Sequence, residues 1–359
     1  MRASIAFFIV SLSAPSAATA PPKYIANADG TTAAVIVEEE PLIHGPQVFP
    51  EDLESSLKKI PKNIHPVKLN VVAVDQTSAD EVRAIVRRAF PENAPATSFV
   101  VGKLAKPGAK YAMDMVSAGR GTPTGFSAER TLNVSPRLYI SGQAENGGTP
   151  AEAARKTLAS LLKTLKWLGC QSYNTVQCKV FLKPISAAPD VRKEFEIAFG
   201  NDKVPPLVFV EWESTLPIEI ELIASDRPNR NANPPAVEYL TPPGMTESPV
   251  YCRVARVNAR NAIYVSSLYS EKKGTGAEEV ESVFAQLQDT LKKSGSDLKH
   301  LAKATYYVSG DDASKQLNVL RPKFYDPKRP PAASKATVSG VGMKDRTLTM
   351  DMIAVKARE

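Results

Sequence analysis

Hydrophobic positions along this chain follow two rhythms. Stretches with every second residue apolar predict strands, and stretches with apolar residues three and four apart predict helices. The clearest run covers residues 137–224. A strand ending in Ser141-Gly142-Gln143 leads to Thr149-Pro150-Ala151-Glu152, which has the form of a capping box with proline at the first helical position. Leu158, Leu161, Leu162, Leu165 and Leu168 then share one helical stripe. A strand over residues 176–182, a helix over about 190–199 and closing strands over 207–212 and 218–224 complete the run.

The same order occurs twice more, and such repetition signals a tandem architecture. From about residue 248 to the end, strands at 250–257 and 262–266 precede Thr275-Gly276-Ala277-Glu278, a second capping box. Val280, Val283, Phe284, Leu287 and Leu291 supply its stripe, followed by a strand at 302–308, a helix at 315–324 and strands near 335–341 and 347–355. The first copy, residues 23–118, is the most worn. Segments 33–37 and 42–49 stand where its opening hairpin belongs, and its first helix is cut to 51–60. A strand at 67–74 precedes Ser78-Ala79-Asp80-Glu81, read as a third capping box, with Val82, Ile85, Val86 and Ala89 as the buried stripe. Tyr111-Ala112-Met113-Asp114-Met115 aligns with Leu348-Thr349-Met350-Asp351-Met352. Residues 119–123 make a short Gly-rich joint, and 226–249 read as an exposed Pro- and Asn-rich linker. The expectation is an α+β fold of three tandem units at 23–118, 124–225 and 248–359, with 226–247 as a linker.

A chain of 359 residues with 43% hydrophobic content has room for several packed domains. The net charge of +7, from 45 basic and 38 acidic residues, is spread along the chain and makes no basic tail. With no interleaving of aromatic and basic residues, no nucleic-acid partner is expected. Arg2, the apolar residues 3–12 and Ala18-Thr19-Ala20 read as a signal peptide over residues 1–20, which predicts export to a periplasm or the medium. No later stretch is long and apolar enough to span a membrane. Cys170, Cys178 and Cys252 are too few for a disulfide framework, and a Cys170–Cys178 bridge is left open. His44, His65 and His300 lack ligand spacing, so neither metal nor cofactor is expected, and His65, before Pro66, reads as a loop residue. Trp167 and Trp212 read as core or interface residues.

The order of elements over residues 137–224, with the Ser141-Gly142-Gln143 turn in it, resembles the RidA (YjgF) family of small trimeric proteins, whose best-known members hydrolyse reactive enamines and imines. The resemblance implies chorismate-mutase-like units with sheets inside and helices outside. It also implies a monomer that acts as an intramolecular trimer, with a small-molecule ligand held in clefts between copies. In that family an arginine in a Pro-Ala-Arg-Ser word grips the substrate carboxylate with a guanidinium fork. Its position falls here on Thr97, Leu207 and Ala333, or on Ser334 if the following turn is one residue longer, so no copy keeps it. The water-positioning glutamate survives as Glu219, with Ala112 and Thr349 in its place elsewhere. The turn is intact as Ser141, Gly142 and Gln143, and altered to Gly45-Pro46-Gln47 and Ser266-Ser267-Leu268. The family's helix asparagine is kept as Asn318, while Arg83 and Arg192 occupy the matching places, and Lys335 lies beside a lost arginine. The function so implied is an exported metabolite-binding protein whose deaminase activity is lost or weak. The alternatives are an active enamine/imine deaminase with its anion site moved to Arg83 or Arg192, and a partner-binding protein with vestigial clefts.

Overall fold

Side-chain oxygens set where the helices of this chain begin, and strand pairing sets how its sheets close. The computed structural model describes residues 20–119, 130–227 and 231–357, so residues 1–19 of the leader reading and most of the joint at 119–123 lie outside the described residues. Strands β1 (Lys23–Ala26), β2 (Thr32–Glu38) and β3 (Leu42–His44) are followed by α1 (Leu53–Lys58), β4 (Ile64–Ala73), α2 (Gln76–Ala89), β5 (Ala96–Val101) and β6 (Tyr111–Gly119). Next come β7 (Arg130–Leu132), β8 (Arg137–Gln143), α3 (Pro150–Trp167), β9 (Thr175–Leu182), α4 (Ala188–Phe199), β10 (Leu207–Glu211) and β11 (Ile218–Ser225). The last run is β12 (Val237–Leu240), β13 (Val254–Val257), β14 (Asn261–Val265), α5 (Gly276–Lys293), β15 (Leu301–Val308), α6 (Asp311–Phe324), β16 (Ala332–Thr337) and β17 (Leu348–Ala354).

Thr275 and Glu278 close a reciprocal capping box on α5. On α3, Thr149 accepts from the Glu152 N–H, but the Glu152 carboxylate turns to the Gly148 N–H instead. The third box does not form. Asp75 caps α2 by accepting from the Ser78 N–H, which starts the helix before Ser78, because a carboxylate is the stronger acceptor and Gln76 and Thr77 extend the helix. The apolar stripes are buried as the spacing predicts, including Leu158, Leu161 and Leu165 on α3 and Val283, Phe284 and Leu287 on α5. Trp167 is 44% exposed, since it lies off the leucine stripe at the helix end, whereas Trp212 is buried. His65 is in β4, where a register shift between Pro66 and Lys68 lets the strand absorb the proline.

Among the described residues the strands form three mixed sheets, ordered β5-β4-β6-β3-β7, β10-β9-β11-β8-β13-β12 and β1-β2-β14-β17-β15-β16. Each carries two helices on one face: α1 and α2, α3 and α4, α5 and α6. The opening hairpin expected for the first copy does not form, and two further strands pair in the same displaced way. β2 pairs with β14 and not with β3, β7 pairs with β3 and not with β8, and β13 pairs with β8 and not with β14. β2, β7 and β13 thus each join a sheet other than the one built by the strands that directly follow them, and the three exchanges close a cycle. The connectors lack the Asn-Gly or Asp-Gly pair of a tight hairpin, and two of them carry a proline, Pro41 and Pro136, just before the next strand. β12 also corrects the linker reading, because residues 237–240 pair with β13 at a sheet edge. Arg137, fully buried, donates to the carbonyls of Asn133, Asn261 and Glu40, one from each exchange region.

The faces away from the helices meet in two apolar clusters that draw on all three sheets. Between them lies a belt of buried charge. Asn70, Lys179 and Thr305 face Asp114, Glu221 and Asp351 across equivalent strand pairs. Two residues earlier on the same strands stand Lys68, Gln177 and Lys303. Lys68 Nζ lies 2.8 Å from Asp351 and Lys303 Nζ 2.7 Å from Glu221, while Gln177 donates to Asp114 at 3.3 Å. All three contacts cross between sheets. Lys179 is shared, 3.7 Å from Glu221 and 3.6 Å from Asp351. Burial alone would raise Asp351 and Glu221, but the lysines outweigh it and hold both carboxyls below their ordinary range. Asp114, bonded to Asn70 and Gln177 and paired with no lysine, is pushed up by burial. Burial drives the nearby His44, 3.3 Å from Gln177, down to about 4.

Removing one partner of a buried pair strands the other. Lys68→Met is expected to lower the unfolding free energy by about 3–5 kcal/mol, and adding Asp351→Leu to restore most of it. Urea titration of the two variants reads this directly, and a single variant as stable as the double would show the pair to be idle. Because the folded-state values of Asp351 and Glu221 are depressed, their contribution is complete above the unfolded value of about 4 and is lost as pH falls below it. The gap between wild type and Lys68→Met therefore narrows in acid.

Candidate functional site

An edge strand leaves a row of N–H and C=O groups unpaired, and β5, β10 and β16 are such edges. Each is covered by a turn from another sheet. Gln47 takes β10: its N–H donates to Leu207 O at 3.2 Å, and its side-chain amide donates to Phe209 O at 2.9 Å and accepts from Phe209 N at 3.2 Å. Ser267 takes β5, donating to Thr97 O at 3.0 Å and accepting from Phe99 N at 3.1 Å. Ser141 and Gly142 take β16: Ala333 N donates to Ser141 Oγ at 2.7 Å and Gly142 N to Ser334 Oγ at 3.2 Å. Register sets Thr97, Leu207 and Ala333 at equivalent places, opposite Leu69, Cys178 and Ala304. It thereby selects Ala333 over Ser334, and none of the three carries a cation.

The junction of β8 with β16 brings Ser141, Gly142 and Glu219 together. Glu219, on β11, lies so close to Gly142 that a Cβ there would sit 1.9 Å from its Oε1, so only glycine admits the carboxyl. Burial pushes Glu219 up to about 7, with the Ser334 hydroxyl partly opposing the shift. It is therefore a carboxyl that gains and loses a proton near neutrality while half-buried between two sheets. Asn318, on α6, accepts from Lys335 Nζ at 3.2 Å on the helix-facing side of the same edge strand. Gln143 leaves the group: it donates to Thr164 on α3 at 3.0 Å and lies in the helix layer.

The other two junctions hold no equivalent acid. Where β5 meets Ser267, Arg83 is already engaged with Asp80 and with the Gly342 carbonyl, and its guanidinium lies 4.2 Å from the Phe99 ring centroid and 6.0 Å from that of Tyr269. These side chains fill the space, and Thr349 donates to Leu268 O. At β10, Arg192 stands exposed 5.7 Å from the Phe209 ring centroid and forms no ion pair among the described residues.

The belt residues Lys68, Lys179, Lys303 and His44 were missed in sequence. Their signal was present in part, as a lysine on the inward phase of an otherwise apolar strand, such as Val67-Lys68-Leu69 or Ala302-Lys303-Ala304. A cavity of about 20 Å³ beside them has room for one water. Cys170, Cys178 and Cys252 are three separate buried thiols.

Gly142→Ala should expel the Glu219 carboxyl, moving its titration midpoint from about 7 toward the ordinary value and costing about 1–3 kcal/mol of stability. Carbon-13 NMR of glutamate-labelled protein reads the midpoint. A raised carboxylate favours the fold while protonated, so wild type loses stability relative to Glu219→Gln as pH rises from the unfolded value through about 7. A Glu219 that titrates near 4 would remove the basis for both expectations.

No family model matches the sequence, and no curated protein matches it. Solved structures similar to it include a member of the YjgF protein family from Neisseria meningitidis, at 23% identity over 34% of this chain and 97% of that one, with a TM-score of 0.27. Yeast Mmf1 is 20% identical over 34% of this chain and 94% of its own, with a TM-score of 0.25. A YjgF/YER057c/UK114 family member from Mycobacterium tuberculosis is 13% identical over 26% of this chain and 77% of its own, with a TM-score of 0.24. The likeness is one of fold over about a third of the chain, and no residue role is taken from it.

Proposed function

We propose that the chain is an exported, single-chain pseudo-trimer of RidA-like units, 23–118, 124–225 and 248–359, which binds a small metabolite where the second unit meets the third. Its hydrolysis of imines is lost or weak. One observation carries this reading: Glu219 is poised near neutrality against Gly142 and Ser334, where the matching positions elsewhere are Ala112 and Thr349, and no guanidinium stands at Thr97, Leu207 or Ala333. A half-buried carboxyl with a value of about 7 donates or accepts a hydrogen bond at physiological pH, which suits a polar ligand group of either kind. Without a cation at the arginine position, a carboxylate has no bidentate partner there. The cyclic strand exchanges and the belt support a trimer-like arrangement within one chain. Export rests on the leader-like residues 1–20.

A second reading, a deaminase with a displaced anion site, is favoured only by Arg192, whose guanidinium is unpaired above Phe209. Arg83 is spent on Asp80 and Gly342.

Ammonia release from 2-iminobutyrate by the purified chain separates the two. The expected rate is no higher than that of Glu219→Gln. A fast wild-type rate that collapses in Glu219→Gln would overturn the loss of hydrolysis, and collapse in Arg192→Met would establish the second reading. Thermal unfolding with a panel of small amino and oxo compounds should raise the wild-type Tm for at least one and not that of Glu219→Gln. No shift for any would count against metabolite binding.

A further inference from the structure

On the helix-facing side of β16, Lys335 and Arg321 place two positive charges together, and neither forms an ion pair among the described residues. The Lys335 amine donates to Ser314 Oγ at 3.0 Å and Asn318 Oδ1 at 3.2 Å, both on α6. Register puts Tyr306 beside it on β15, and the Arg321 guanidinium lies 5.0 Å from that ring centroid. Arg321 Nε is buried without a hydrogen-bond partner. Two residues back on the same face Ala333 is small, and Lys335 is itself only half-buried, so its amine keeps access to solvent. Burial, and after it the Arg321 charge, holds the Lys335 amine below its ordinary value.

We infer that Lys335 is an imine-forming amine that takes a small aldehyde or ketone carrying an anionic group, with Arg321 receiving the anion. A lysine becomes a nucleophile when it is desolvated or set beside another cation, and both conditions hold here. Ser314 and Asn318 orient the nitrogen by neutral acceptors, whereas a carboxylate would have fixed its proton. The unprotonated nitrogen attacks the carbonyl carbon, forming a C–N bond as the C=O π bond breaks, and one of the two amine protons passes to the carbonyl oxygen. The resulting carbinolamine loses that oxygen as water, with a second proton supplied by solvent and the nitrogen proton returned to it, leaving a C=N bond. The site lies on the opposite face of β16 from Ser334 and Glu219, so it is distinct from the junction described above and does not depend on that junction binding anything.

The test is reductive trapping in the full chain with glyoxylate and cyanoborohydride, which supplies the hydride that converts the imine to a secondary amine. Peptide mapping then counts carboxymethyl groups lysine by lysine. Lys103 and Lys110, more exposed but each near a carboxylate at 3.8 and 3.7 Å, serve as internal comparisons. Lys335 is expected to react several-fold faster than either, as an amine half-buried beside a second cation should. Arg321→Met should reduce labelling by glyoxylate more than labelling by acetaldehyde. In the wild-type chain acetate should compete with glyoxylate, which reads the same anion subsite without a variant. Equal modification of Lys335 and the two exposed lysines would overturn the imine-forming role, and a failure of acetate to compete would overturn the role of Arg321.

Discussion

The structure depends on a cost that cannot be left unmet. Among the described residues three lysines and three acids sit in the interior where the three sheets meet, and a lone buried charge there is worth several kcal/mol against folding. Each cross-sheet contact, Lys68 to Asp351, Lys303 to Glu221 and Gln177 to Asp114, therefore ties the position of one sheet to the next. A slip of one residue in any central strand would turn its belt side chains to the helix face and strand their partners. The apolar clusters above and below add non-directional burial; the belt adds register.

Three sheets built by one chain also free the centre from symmetry. In an assembly of identical subunits every axial position occurs three times. Here Gln177 stands where the other strands have lysine, and Lys179 stands where they have Asn70 and Thr305, so the count remains three lysines and three acids. Arg137 makes the same point. A single guanidinium holds the carbonyls of all three exchange regions, a space that three copies of it would overfill.

Much of this was legible in the sequence, because it is local. Thr149 and Thr275 cap the helices that their spacing announces, and the alignment of Thr97, Leu207 and Ala333 survives as strand register. What sequence did not disclose is non-local. Alternation tells which face a side chain takes and says nothing of which strand lies beside it, so the trade of β2, β7 and β13 went unseen. The same limit hid β12 in a stretch whose prolines and asparagines read as open linker. It also hid the belt, since a lysine in a strand declares its cost only once the partner acid, more than a hundred residues away for Lys179 and Asp351, is known to face it.

The unequal fate of the three junctions follows from the same freedom. Covering an edge strand needs backbone and small polar groups, and Gln47, Ser267 and Ser141 each do it by different bonds. Holding chemistry needs space beside that cover. Phe99, Tyr269 and Arg83 consume the space at one junction, and the Gln47 amide caps Phe209 on both sides at another. At the third, Gly142 and Ala333 contribute almost no side-chain volume, and Glu219 and Lys335 lie on either side of β16. All three junctions join sheets, and only the third does so with residues small enough to leave a carboxyl and an amine beside the joint.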